Sequence, residues 1–343
     1  MTTLPDTMAA AILESSADGG TALQWQQIAV PQPAAGQLLL QVAAAGINRA
    51  DLMQRRGQYP PPASDSNILG LEVSGVVVAV GSNADHHWLG KKVFGLVNGG
   101  GYAAYALMPS AQAMLVPDSW SLTEAAGCAE TFLTAYQLLF SLGQLHLSKA
   151  HLTSVLSGQK VLIHAGASGV GTAAICLASL AGAEVAVTAS SDEKLAVCHS
   201  LGARHGFNYQ QQDFVSVLKQ LWPPGCQLIL DPVAGDYIAK NIQCLAIDGK
   251  IVVYALMGGR RLAELDLAPL FQKRGQILCS TLRNRSPDYK AELSAAFYRR
   301  FAAEMQQRRL IPLIHRVFSY EEVEQAHQLM ASNHTMGKLI LLF

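Results

Sequence analysis

The stretch KVLIHAGASGVGTAAICLASLAGAEVAVTAS (160–190) constrains the fold of this chain more than any other. An apolar strand runs into a glycine-rich turn, then a helix of small residues, then a second apolar strand. A unit of this kind lays its two strands parallel and buries them under helices. The turn, HAGASGVG (164–171), nearly matches two unrelated motifs. As G-x-S-x-G it would present Ser168 as a nucleophile, but Val170 stands where the closing glycine belongs. As G-x-G-x-x-G it is a phosphate-binding turn whose middle glycine has become Ser168, with Gly169 next to it. The strand before and the helix after favour the second reading. Backbone N–H groups at the helix start then face a pyrophosphate, with Gly166 making the tight turn and Gly171 letting the helix pack on the sheet. Gly166, Ser168, Gly169, Val170 and Gly171 are the expected phosphate-binding residues. A strand-to-helix turn without a ligand is the plain alternative.

Val161 to Ala183 carries no Asp, Glu, Lys or Arg, yet it is richer in Ala and Gly than in Leu and Phe. It reads as a buried strand, turn and helix rather than a lipid-spanning segment. The first twenty residues have neither a basic start nor an apolar core, so no signal peptide or anchor is expected. Acidic and basic residues cancel at 25 each and charged residues make up only 15%, which gives no bulk attraction to nucleic acid or anionic membrane. The six cysteines form no C-x-x-C pair, and reduced thiols in the cytoplasm are expected.

Either side of residue 125 the rhythm differs. Before it, short apolar runs such as QLLLQVAAAGIN and EVSGVVVAVGS are punctuated by glycine, as in a twisted, partly closed β-structure. The Pro-rich segment 54–67, QRRGQYPPPASDSN, must be loop. After it, continuous apolar strands alternate with amphipathic helices, which predicts a doubly wound parallel sheet. The tail, 276–343, returns to a mixed pattern and ends in a strand, MGKLILLF. The fold class is α/β, with a β-rich domain over 1–125 and a dinucleotide-binding domain over 126–275.

The second strand of the unit ends VTASSDEK. An NAD site usually places an acid there for the ribose 2′-hydroxyl. Here Ser190 and Ser191 stand in its place, with Lys194 one helical turn later. A hydroxyl and an ammonium suit a 2′-phosphate, so the expected cofactor is NADPH. Asp192 and Glu193 argue against this, although a helix N-terminus favours acids in any case.

The segments NRADLMQRRGQYPPP, NILGLEVSG, LIHAGASGVGTAAI, GFNY and YALMGG make the chain similar, nearly end to end, to a known family. It resembles the zinc-independent, ζ-crystallin-like quinone oxidoreductases of the medium-chain dehydrogenase/reductase superfamily, closest to their p53-inducible branch. The resemblance implies a GroES-like substrate domain built from both chain ends, a Rossmann domain between them, and a homodimer with sheets joined edge to edge. Zinc-dependent relatives carry cysteine and histidine where this chain has Asn48 and Leu71, so no zinc is expected. The resemblance places Asn48 and Tyr59 beside the nicotinamide as catalytic residues, Asn48 donating to a substrate carbonyl and Tyr59 donating or stacking. Arg49 and Asp51 would organise that loop. Thr134, Met257, Gly258, Leu282 and Arg283 would line the cofactor, and Ser191, Lys194 and Tyr209 would surround its adenosine end. Arg283 equally reads as a surface arginine. No buried acid–base pair stands out, which suits a quinone acceptor better than an alcohol. Reduction of an activated C=C bond, and an NADPH-binding protein without catalysis, are the alternatives.

Overall fold

The structure, a computed structural model, describes residues 4–15, 20–81, 86–145, 158–262 and 264–343. Backbone packing divides the chain into two units, one of Met1–Leu133 with Arg283–Phe343 and one of Thr134–Leu282.

In the first unit the glycine-punctuated runs are strands β1 (Thr7–Ser15), β2 (Thr21–Ala29), β3 (Gln37–Ile47), β4 (Glu72–Val80), β5 (Lys92–Leu96), β6 (Tyr105–Pro109) and β7 (Met114–Leu115). Helix α1 (Arg49–Arg55) follows β3. β1 and β2 pair antiparallel, and β3 runs antiparallel to both β4 and β6. β3 reads as one apolar run because both its faces are covered. Leu38, Leu40 and Val42 enter one core cluster and Leu39 another. Two irregularities in the β3–β4 register bend the sheet. At the second, a Cβ on Gly75 would lie 2.1 Å from the Gln41 carbonyl oxygen, so only glycine permits the approach.

Helix α2 (Leu122–Ala125) is capped by Ser121, whose Oγ accepts from the Glu124 N–H at 3.2 Å. Helix α3 (Ala129–Tyr136) then carries the chain into the second unit. Six parallel strands follow: β8 (Lys160–Ile163), β9 (Glu184–Ala189), β10 (His205–Asn208), β11 (Cys226–Asp231), β12 (Leu245–Val253) and β13 (Gln276–Cys279). They lie in the order β10-β9-β8-β11-β12-β13. Helices α4 (Gly169–Leu180), α5 (Asp192–Ser200), α6 (Phe214–Leu221), α7 (Tyr237–Cys244) and α8 (Ala268–Gln272) connect them. The strand order reverses between β8 and β11, and ligands of doubly wound sheets bind outside the C-terminal strand ends at such a point.

The chain returns to the first unit as α9 (Pro287–Gln306), β14 (Ile314–Ser319), α10 (Val323–Ala331) and β15 (Lys338–Leu342). β15 lies antiparallel to β3, with Leu339 opposite Ile47. The division therefore falls at 133/134 and 282/283, several residues later than the change of rhythm at 125 and 275. Ala126 packs with Ala44 and Ile340, and Phe132 meets Phe297, which keeps 126–133 in the first unit. β13 extends the parallel sheet beyond residue 275. Among the described residues no helix is long and apolar enough to cross a membrane.

Candidate functional site

In the second unit the turn 164–171 leaves β8 at the switch point and opens α4. Ser168 caps that helix, its Oγ accepting from the Gly171 N–H at 3.0 Å, and so acts in the turn as a helix cap. The left-handed residue of the turn is Ala165, with φ of 52°, rather than Gly166. Gly166 is needed for closeness, because a Cβ there would sit 2.8 Å from Val187 Cβ and 3.1 Å from Cys198 Sγ. At Gly171 a Cβ would fall 2.4 Å from the Ala165 carbonyl oxygen. Gly171→Val is expected to distort the cradle and weaken dinucleotide binding by about 100-fold, near 3 kcal/mol, in a fluorescence titration.

Beneath the turn lies a buried polar chain that sequence reasoning missed. Asn241 on α7 donates to Asp231 Oδ2 at 2.8 Å, which leaves its Oδ1 to accept from His164 Nε2 at 2.8 Å. His164 Nδ1 then accepts from the Thr188 hydroxyl at 2.9 Å. Burial lowers the His164 pKa, which keeps the ring neutral and every member of the chain satisfied. One network thus ties the ends of β9, β8 and β11 together just before the glycine turn. A single histidine in an apolar strand gives no sequence signal of such partners.

At the end of β9, Ser191 caps α5 by accepting from the Lys194 N–H at 3.3 Å, and Lys194 Nζ reaches Ser190 Oγ at 3.2 Å. Burial lowers the Lys194 pKa. Asp192 accepts from Asn208 Nδ2 at 3.1 Å, which gives that carboxylate a partner within the protein. Tyr209, half exposed, leaves the end of β10 next to a cleft of about 360 Å³ that Tyr237 and Lys240 also line. Met257 and Gly258 follow β12, their N–H groups bonded to the Pro232 and Val233 carbonyls at 3.0 and 2.7 Å. Thr134 lies on α3 and is half-buried, and Leu282 is buried.

The remaining expected residues lie in the first unit. Asn48 is buried at the start of α1, and its side chain is fully committed. Nδ2 donates to Glu72 Oε1 at 3.0 Å and to the Gly46 carbonyl at 3.3 Å, while Oδ1 accepts from Lys338 Nζ at 2.7 Å. In this arrangement it has no hydrogen left for a substrate carbonyl. Lys338, 3% exposed, spends its other two hydrogens on Glu72 Oε1 and the Ile47 carbonyl, both at 2.7 Å. Glu72 Oε2 accepts from the Glu130 N–H at 2.9 Å.

Asp51 accepts from the Asn48 N–H at 2.8 Å and from the Tyr102 hydroxyl at 2.9 Å, and burial still pushes its pKa up to about 6. Arg49 instead reaches Asn333 at 2.6 Å. Glu130 is held up to about 8, first by burial and then by the charge of Glu72. Tyr59 is half-buried, and its pKa is raised by burial and by Glu130. The Arg283 guanidinium sits 5.6 Å from the Tyr59 ring centre with its side chain only 5% exposed, so it is not a surface arginine.

Two families match the chain: the alcohol dehydrogenase GroES-like domain over residues 34–118, and the zinc-binding dehydrogenase over 169–297. The human synaptic vesicle membrane protein VAT-1 homolog is 31% identical over 336 residues, covering 93% of this chain and 82% of that protein. Human quinone oxidoreductase is 28% identical over 318 residues, covering 92% of each. A quinone oxidoreductase structure from Pseudomonas syringae superposes with a TM-score of 0.80 at 26% identity, covering 98% of this chain and 100% of that one.

The residues around Asn48 do not fit the zinc of the second family's name. Catalytic zinc takes thiolate, imidazole or carboxylate ligands. Here an amide and a carboxylate already share an ammonium, and Leu71 beside them has no donor. Among the described residues no three His, Cys, Asp or Glu side chains converge on a metal position.

Proposed function

The chain belongs to the medium-chain dehydrogenase/reductase superfamily, in its ζ-crystallin-like quinone oxidoreductase family, and on that premise we propose that it is an NADPH-dependent quinone reductase working without zinc. It is an oxidoreductase of that superfamily. The observation that carries the finer reading is the end of β9, where hydroxyls and an ammonium take the place of an acid and Asp192 is bonded to Asn208. A nicotinamide bound in this fold supplies the hydride.

The chain's own residues do the rest. The N–H groups of Gly169 and Val170 are available to a pyrophosphate at the α4 N-terminus, since that of Gly171 is taken by Ser168. Ser191, Lys194 and Tyr209 would hold the 2′-phosphate end, and Thr134, Met257, Gly258 and Leu282 would line the remainder. Tyr59 offers a flat acceptor its ring face and hydroxyl. Asn48, committed to Lys338 and Glu72, shapes the loop instead of donating to the acceptor. A reduced quinone oxygen needs a proton, and Glu130, still protonated at neutral pH, is a source of one. The reading includes a homodimer. β13 ends its sheet, and the nearby chain exposes Ile247, Leu267 and Phe271, the last at 85%.

The test follows reduced-nicotinamide absorbance with chelator-treated protein, an ortho-quinone, and NADPH or NADH in parallel. Turnover is expected with NADPH and weaker turnover with NADH. Ser191→Asp is expected to lower kcat/KM for NADPH by about 10- to 100-fold, the loss of one or two charge-assisted contacts, while sparing NADH. Equal rates with both cofactors in the unsubstituted protein would remove the 2′-phosphate assignment and leave the enzyme. Tight NADPH binding without turnover would point to activated C=C acceptors or to a binding role.

A further inference from the structure

The resemblance assigns Arg283 to the cofactor; the partners of its side chain in the structure belong to α1 and the segment that follows it. Arg283 Nη1 donates to Gln54 Oε1 at 2.7 Å, and Gln54 Nε2 donates in turn to the Asn67 carbonyl at 3.2 Å. Gln54, in the last turn of α1, and Asn67 bracket the Pro-rich segment that carries Tyr59; the helix takes in 54 and 55, which the sequence pattern assigns to loop. Within that segment Asp65 faces Arg283 Nε at 3.7 Å, both side chains being 5% exposed. The guanidinium lies 5.6 Å from the Tyr59 ring centre. From behind, Lys290 Nζ donates to the Arg283 carbonyl at 3.2 Å and to Asn98 Oδ1 at 3.3 Å. The Asn98 carbonyl accepts from the Ser66 N–H at 2.8 Å. Among the described residues the Arg283 side chain bonds Gln54, faces Asp65 and lies near the Tyr59 ring, while its Nε and Nη2 have no hydrogen-bond partner.

We propose that Arg283 is the positioning residue for the acceptor-binding loop: it fixes the loop's two ends through Gln54, holds Asp65, and sets the face that Tyr59 presents to the substrate. This rests on the quinone-reductase reading for the role of Tyr59, not for the loop. The planar fork explains the choice of arginine, since a lysine could make the Gln54 bond or face Asp65 but not lie flat near the ring while doing so. The Arg283–Asp65 pair is too long for a hydrogen bond, so Gln54, rather than that ion pair, sets the guanidinium's orientation.

The test compares Arg283→Met, Arg283→Lys and Asp65→Asn by three readouts: acceptor KM and kcat at saturating NADPH, NADPH Kd by fluorescence, and hydrogen exchange along the chain. For Arg283→Met the expected result is an acceptor KM raised about tenfold or more, the cost of a misplaced binding group. Faster exchange should be confined to 54–67 and its neighbour Asn98, with NADPH Kd unchanged. Arg283→Lys and Asp65→Asn should fall between it and the unsubstituted protein. A raised NADPH Kd with unchanged acceptor KM would return Arg283 to the cofactor and overturn the proposal. Faster loop exchange with unchanged KM would make it a structural residue only, also against the proposal. Should Arg283→Met fail to fold, the other two variants decide the same question. If the unsubstituted protein turns over no quinone, the functional reading fails on its own, and hydrogen exchange still tests whether Arg283 holds the loop.

Discussion

Lys338→Met is expected to destabilise the protein by about 3–5 kcal/mol, as measured by urea unfolding, the usual loss when one partner of a buried ion pair is removed. The ammonium sits 2.7 Å from Glu72, which is wholly buried, and makes three hydrogen bonds. Methionine fills the stem's volume but leaves the Glu72 carboxylate, among the described residues, with the Asn48 amide and the Glu130 N–H as partners. The double variant Lys338→Met with Glu72→Gln removes the orphaned charge and is expected to regain at least half of the loss. A single variant within 1 kcal/mol of the starting protein would show that the pair contributes nothing.

Stability is also expected to fall as pH rises from about 7 to 9. Asp51 and Glu130 hold protons in the folded state, up to about 6 and about 8, that the unfolded chain has already released. These two carboxyl groups therefore contribute a negative slope of unfolding free energy with pH; buried His164 and His327, whose pKa values burial lowers, oppose it below about pH 6.5, which leaves Glu130 to set the fall above neutrality. For Glu130 the rise from the ordinary carboxyl range to about 8 sets a ceiling of roughly 5 kcal/mol, and partial solvent access lowers the expectation to about 1–3 kcal/mol. Glu130→Gln keeps the neutral shape and removes the titration. The variant should be more stable than the starting protein at pH 9 and no more stable at pH 5. Parallel pH–stability curves for the two proteins would contradict the assignment. If Glu130 supplies the proton during turnover, the same substitution should also remove the fall in kcat above about pH 8.

The parallel sheet was the most legible part of the sequence, because continuous apolar strands, small-residue helices and a glycine turn each obey local rules. The same local rules put Ser168, Ser191 and Lys194 at two strand-to-helix turns, where Ser168 and Ser191 cap α4 and α5. What local rules miss is long-range pairing of polar groups. Glu72 and Lys338 are the charged first residues of two mostly apolar strands, 266 positions apart, and they meet because β3 pairs with both β4 and β15. A lone charge in a buried strand was the available signal, since it demands a partner of opposite sign. Two of the three partners of Asn48 are distant in sequence, so local rules leave its amide a free donor. The turn carried a smaller surprise: the left-handed residue proved to be Ala165, while Gly166 answers to Val187 and Cys198 on neighbouring elements.

The positive centre at Asn48 and Glu72 is a lysine of the same polypeptide. It is present in full as soon as synthesis ends, needs no delivery by other proteins, and cannot be stripped by a chelator or exchanged for a competing ion. Growth conditions that starve cells of transition metals would leave its occupancy at one per chain. An ammonium, unlike a metal ion, has no empty orbital with which to accept an electron pair.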